Sequence, residues 1–218
     1  MAFLRGAQTV NYIDEDSLGF VQGPARLLIA PVDQAWPDGI EDIIKLVDSP
    51  AGTQYDPVTG WDEGGFTKTG INIVRNNAEE EYDVDQIPTA VSSRPTNWDM
   101  NVGTQLAEAT LETYKMAWEL GPISTVTKTD PQPDERHVGM GAPISYVQKR
   151  VAVLFQFPGG WIRAFVFRVC QRMPQESGFT YQKTGEQVSL PTRWRALADT
   201  AVTDEDTRFG EIFEQIPE

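Results

Sequence analysis

One cysteine, Cys170, and one histidine, His137, stand in a chain of 218 residues. A lone cysteine excludes an internal disulfide, and one residue of each kind cannot supply a Cys/His zinc site. A reactive thiol needs a base beside it, yet Cys170 lies in an apolar run and His137 in a Gly-rich stretch. Cys170 therefore reads as a small buried hydrophobe. The phosphate loop G-x-x-x-x-G-K-[ST], the dinucleotide fingerprint G-x-G-x-x-G and the nucleophile elbow G-x-S-x-G are all missing. Bases are also short, with 18 Lys and Arg against 32 Asp and Glu, a net charge of −14. Such a chain repels phosphate at long range and does not grip nucleic acid by counterion release. No apolar run is long enough for a membrane-spanning helix. The start, Met1-Ala2-Phe3-Leu4-Arg5-Gly6, has no extended apolar stretch after Arg5, so a secretory signal is not expected and the cytoplasm is the expected place of synthesis.

What is present suits a folded core: 40% hydrophobic and 10% aromatic residues. Charge is uneven. Residues 1–135 hold 23 acids against 8 bases, and residues 136–218 hold 9 against 10. Residues 1–19 read as a polar arm. Residues 20–32 read as a first strand whose centre is bounded by Pro24 and Pro31. Residues 33–63 form a long loop rich in turn residues, in which Ile40, Ile43, Ile44 and Val47 have the spacing of a short helix. Residues 66–75 read as a strand, Asn76-Asn77 as a tight turn, and residues 78–87 as the return strand. Period-two alternation puts Glu79, Glu81, Asp83 and Asp85 on one face of that return. Trp98, Met100 and Val102 alternate with polar residues in a further strand at 96–106.

Residues 106–120 carry the helical pattern. Leu106, Thr110, Leu111, Tyr114, Ala117 and Trp118 share a face opposite Glu108, Glu112, Lys115 and Glu119, with Thr104 or Gln105 opening the helix and Gly121-Pro122 closing it. Residues 122–135 read as a second surface loop. Strands at 144–157 and 161–173 form a long hairpin around Pro158-Gly159-Gly160, and 187–198 is a last strand. The pattern is mainly β, with one amphipathic α-helix packed on a sheet. The chain divides into an arm (1–19), a single domain (20–212) and a tail (213–218).

The order of these parts resembles the major tail tube proteins of long, non-contractile bacteriophage tails. The resemblance rests on Gly64-Gly65-Phe66-Thr67-Lys68-Thr69-Gly70-Ile71-Asn72-Ile73, on the acid-rich strand followed by Val102-Gly103-Thr104-Gln105-Leu106, on the long strands around Pro158-Gly159-Gly160, and on Leu190-Pro191-Thr192-Arg193-Trp194-Arg195 with Asp204-Glu205-Asp206-Thr207-Arg208-Phe209-Gly210. It spans most of residues 20–212. It implies a β-sandwich or partial barrel with one flanking α-helix, whose strands contribute to a barrel shared between subunits, and a structural protein without cofactor or enzymatic role, assembling as hexameric rings stacked into a tube in the virion. The implied partners are further copies and the tape-measure, terminator and distal tail proteins. Double-stranded DNA passes through without specific binding, and the chain inserts into no membrane.

Four strands from each of six copies would close a barrel of about 24 strands, with a bore near 38 Å, wide enough for a duplex of roughly 20 Å. Glu79, Glu81, Asp83 and Asp85 suit the wall of such a bore, because carboxylates do not hold phosphate; a solvated outer face fits them equally. Trp36 and Trp61 in the long loop suit a ring-to-ring contact, unless the loop folds onto its own domain. Arg163, Arg168, Arg172, Arg193 and Arg195 suit a contact with the acidic part of a neighbouring copy, unless they pair within the fold. The alternatives are another ring protein of the tail and, from a different class, a carboxylate-dependent carbohydrate-binding protein or hydrolase, to which the six tryptophans lend some weight.

Overall fold

Two apolar runs, Leu27-Leu28-Ile29-Ala30 and Val151-Ala152-Val153-Leu154, pack both of their faces. Strands that read as continuous hydrophobic runs, not as an alternation, are those covered on both sides. The computed structural model describes residues 3–4, 25–49, 52–84, 87–108, 110–129, 133–141, 145–157, 160–173 and 189–216. The strands in chain order are β1 (Phe3–Leu4), β2 (Ala25–Pro31), β3 (Ile44–Ser49), β4 (Gly52–Pro57), β5 (Asp62–Glu63), β6 (Thr67–Val84) and β7 (Ile87–Leu106). After helix α1 (Leu111–Trp118) come β8 (Ile123–Val126), β9 (Glu135–Val138), β10 (Gln148–Gln156), β11 (Ile162–Arg172), β12 (Leu190–Leu197) and β13 (Gly210–Glu214). Strands dominate the described residues, and the main antiparallel sheet curls into a half-barrel with helix α1 beside it. Its order is β5-β2-β10-β11-β12-β7-β6.

The tenth and eleventh strands are the hairpin that the sequence predicts, with Gln156 opposite Ile162. The second strand lies on the other side of β10, with Leu28 opposite Ala152. One face of this centre carries Leu28, Ala30, Ala152, Leu154, Ala164 and Val166. Burying each larger aliphatic side chain contributes about 1.5–3 kcal/mol. The segment predicted as a loop covers this face. It is built from a 3-10 turn at Ile40–Asp42, the β3–β4 hairpin, and the side chains Ile40, Ile43, Ile44 and Trp61. The helix expected over Ile40–Val47 is thus a single 3-10 turn running into a strand. Ile43 and Ile44 point into one core because the backbone turns between them, not because they share a helical face.

The opposite face carries Leu27, Ile29, Val151, Val153, Phe167 and Cys170. The curl covers it: β12 and β7 bring Trp194, Ala196 and Val102 over it, with Ile71, Ile73 and Met116 at the margin. The eleventh strand changes partner along its length. Arg163–Phe167 pair with β13, and Val169–Arg172 pair with β12. The strand β13 extends the fold beyond residue 212, into what the sequence reads as a tail.

Two boundaries move. The tight turn expected at Asn76-Asn77 is absent: both asparagines sit mid-strand, opposite Asp99 and Trp98. The ladder continues to Val84 opposite Ile87; residues 85–86 lie outside the described residues. Helix α1 starts later than its apolar pattern suggests. Thr104 and Leu106 belong to β7, where the ladder to Thr192 and Leu190 already satisfies their backbone. Thr110 is the N-cap. Its hydroxyl accepts from the Thr113 amide at 3.2 Å, and the Thr113 hydroxyl accepts from the Thr110 amide at 2.8 Å. This reciprocal box satisfies donors that a helix start leaves open. Thr110→Ala is expected to lower stability by about 1 kcal/mol, read as a shift in the urea midpoint without a change in slope. The helix ends at Glu119, a non-glycine residue at φ 52°, whose amide closes on Lys115 O. Leu106, Ala117 and Leu190 then pack the helix against the sheet.

Candidate assembly surfaces

From Met100 toward Ile87, β6 is the one strand paired with β7 among the described residues, because the β12 ladder stops at Ala196 opposite Met100. Residues 76–84 and 87–99 therefore leave the body as a two-stranded ribbon, about 30 Å long at a strand rise near 3.3 Å per residue. Among the described residues, no strand pairs with its outer edges. Such edges present free N–H and C=O groups to another chain. An isolated two-stranded hairpin is at best marginally stable in water.

Glu79, Glu81 and Asp83 fall on this ribbon, on the outgoing strand and not on a return strand as the sequence suggested. Glu79 is exposed and accepts from Asn77 Nδ2 at 2.7 Å, two residues along the same face. Glu80 faces Arg94 across the ribbon at 3.6 Å, an exposed pair that adds little stability. The side chains of Glu81 and Asp83, and the whole of Asp85, lie outside the described residues. At the ribbon's root the Arg75 guanidinium lies 4.2 Å from the centre of the Trp98 ring.

The tryptophans expected at a ring-to-ring contact are placed differently. Trp61 is only 4% exposed, in the core of its own domain, and has no face to offer another copy. Trp36 is half-buried. Its ring lies 3.7 Å from the Arg168 guanidinium carbon and 6.4 Å from the Phe213 ring. Arg150 ties down the same segment by donating to the carbonyls of Gln34 and Val32. Burial first, and then the like charge of Arg168, lowers the Arg150 pKa. The long loop is folded onto its own domain by these contacts.

Three of the five arginines expected to reach a neighbour pair at home. Arg163 pairs with Glu214. Arg168 reaches Glu211 at 2.6 Å and Thr207 O at 2.8 Å. Arg195 Nε stands 2.8 Å from Asp99 Oδ1, an ionic contact without the alignment of a hydrogen bond. Arg172 is partly buried, which lowers its pKa, while Glu119 opposes that shift. Arg193 lies in register with Gly103 and is half-buried. For Arg163, Arg168 and Arg195 the intrachain pairing is what the fold contains. The pattern of bases alone could not reveal it: Glu214 and Glu211, the partners of Arg163 and Arg168, come from a strand the sequence did not signal, and Asp99 meets Arg195 only through the pairing of β7 with β12.

A feature absent from the sequence reading is a groove of about 430 Å3 beside α1. Its apolar lining includes Ile29, Met116, Val147 and Trp194. Its polar lining includes Asp62, Glu63, Glu108, Glu112 and Glu119, with Lys115 and Lys149. Glu63 already binds Arg26, and Glu112 binds Arg136, which holds its carboxyl below the usual range. The Glu119 carboxyl is pushed up by burial, against the pull of Arg172 and Lys149. The groove-forming residues come from six elements, β2, β5, α1, β8, β10 and β12, and no short-range pattern links them.

Chemistry elsewhere is sparse. Cys170 is fully buried, and desolvation pushes its thiol pKa well up, away from the reactive thiolate. No cluster of His, Cys, Asp and Glu among the described residues could hold a metal ion. No described helix is long and apolar enough to cross a membrane. No protein-family model matches the chain, and no curated protein matches it.

Proposed function

We propose that this chain is the repeating subunit of a tail tube of the long, non-contractile phage type, a structural protein and not an enzyme. On this reading hexameric rings stack into a conduit for double-stranded DNA in the virion. The tape-measure, terminator and distal tail proteins are its other partners. The observation that carries the reading is the β6–β7 ribbon. A hairpin this long, held by the body at its root and with no strand paired to its outer edges among the described residues, offers those edges to another chain. On this reading a second copy takes them. The exposed carboxylate of Glu79 on the ribbon also suits a wall that must let phosphate slide past.

Electron microscopy and sedimentation of the purified protein test the reading. Hollow tubes are expected. A chain in which residues 78–97 are replaced by Asn-Gly, so that Asn77 still pairs with Trp98, is expected to keep its circular dichroism spectrum and to remain monomeric. Closed single rings of the full chain would favour a terminator or distal tail role. A full chain that stays monomeric at every concentration and beside its tail partners, or a shortened chain that still builds tubes, would overturn the proposal.

A further inference from the structure

We propose that strand β1 is exchanged between copies, so that in the assembled state Phe3–Leu4 of one subunit pairs with β4 of the next. This rests on the assembly reading and names one of its joints. Within one chain Phe3 lies in register with Gln54 and Leu4 with Tyr55, in parallel, on the edge of β4 that β3 leaves open. The pairing is two residues long, and parallel ladders are slightly less stable per residue than antiparallel ones. A single chain therefore holds its own N-terminal strand weakly.

The connection to the body is far longer than this pairing needs. The Arg26 guanidinium donates to Tyr55 O at 2.7 Å, and Leu4 is the strand neighbour of Tyr55. One arginine side chain and one strand spacing therefore bridge the gap from Leu4 to the start of β2. That gap is at most about 20 Å, which roughly six extended residues would cross. Residues 5–24 connect the two points, a length of chain that reaches about 66 Å when extended. A tether holds best on a site whose distance matches its reach, and one that overshoots weakens the pairing it closes. Neighbouring bodies of this size stand about 45 Å apart, centre to centre, inside that reach. Exchange of an identical segment needs no new surface, because the bonds made to a neighbour are those already made within the chain. In an isolated subunit the edge is filled by its own strand. In a ring or stack the neighbour's strand competes at an effective concentration set by the tether. The same rung has apolar area left to cover, since Leu46, opposite Tyr55 on β3, is 54% exposed.

Cysteines placed in register test the exchange, since Cys170 is buried and stays silent. Tubes of a chain carrying both Phe3→Cys and Gln54→Cys are oxidised and run on a non-reducing denaturing gel. A ladder of covalent multimers is expected. Tubes grown from an equal mixture of the two single variants are expected to give disulfide-linked dimers with one chain of each, which a pairing within the chain cannot produce. A chain lacking residues 2–4 is expected to keep its circular dichroism spectrum and to need at least a tenfold higher concentration to assemble. Cross-linked monomers alone, or no cross-link at all, in tubes of the double variant would overturn the exchange and leave the assembly reading standing. So would unchanged assembly of the shortened chain. A wild-type chain that never associates overturns both.

Discussion

Glu63→Ala is expected to lower stability by about 3 kcal/mol, a fall of roughly 6–12 °C in Tm for a chain of this size. The reason is the residue it leaves behind. The Arg26 side chain is 5% exposed, and Glu63 grips it with two bonds, Nε to Oε1 at 2.8 Å and Nη2 to Oε2 at 3.0 Å. A third guanidinium donor goes to Tyr55 O at 2.7 Å. Without Glu63, two donors of a group that stays charged at any ordinary pH face a desolvated site. The carboxylate is partly exposed, so water recovers some of the loss, and the expected cost sits at the lower end of the range for broken buried pairs. Replacing both partners, Arg26→Met with Glu63→Leu, should restore most of the stability, since neither charge then needs a partner. Thermal unfolding of the two variants decides the matter. A double variant as unstable as the single one would mean that Arg26 acts through its contact with Tyr55 and not through charge.

Gly210→Ala is expected to detach β13, at a cost of about 3–5 kcal/mol when overpacking and the unfavourable backbone angle are combined. Gly210 sits at φ 151° opposite Phe167. A Cβ built there would stand 1.9 Å from Val166 O and 2.9 Å from the Phe167 Cα. Both obstacles are backbone of the central strand, so β13 has to give way. With it would go the Arg168–Glu211 and Arg163–Glu214 pairs and the packing of Phe213 on Trp36. Faster amide exchange over Gly210–Glu214, with protection retained in β10, is the expected signature. Gly103→Ala is the control. A Cβ there meets nothing nearer than the Arg193 Cγ at 3.9 Å, so stability should change by no more than about 0.5 kcal/mol.

The parts of the fold that the sequence announces are those whose burial is continuous or strictly periodic. The β10–β11 hairpin shows both its apolar runs and its Pro-Gly-Gly turn. The lone cysteine reads as a core residue because its neighbours are apolar, and it is one. The insertion at 33–63 was opaque for a physical reason. Its strand Gly52–Pro57 sends one large side chain, Tyr55, toward the core, so no alternation develops. The run Glu79-Glu80-Glu81 hid the length of the ribbon, because acidic residues have low strand propensity and Asn76-Asn77 offers a turn that the ladder overrides. Helix α1 was recognised but begun too early. Leu106 contributes to the same apolar cluster as Ala117, but it reaches that cluster from the end of a strand. Charge spacing along the chain located the arginines but not their partners, which depend on how distant segments meet. The groove was illegible altogether, since Ile29, Asp62, Glu108 and Trp194 converge only after the sheet has curled.

The pairing of Leu28 with Ala152 has a consequence during synthesis. Until the tenth strand leaves the ribosome, the second strand has, among the described strands, the two-residue β5 alone to pair with, and its long edge stays unpaired. The ribbon, by contrast, is a local hairpin and can zip early, because closing a short loop costs less entropy than closing a long one. A nascent chain thus displays sticky edges before it owns a finished body. Copies emerging side by side on one message are positioned to meet in that state, and a holding chaperone at this stage would protect the yield of correctly built subunits.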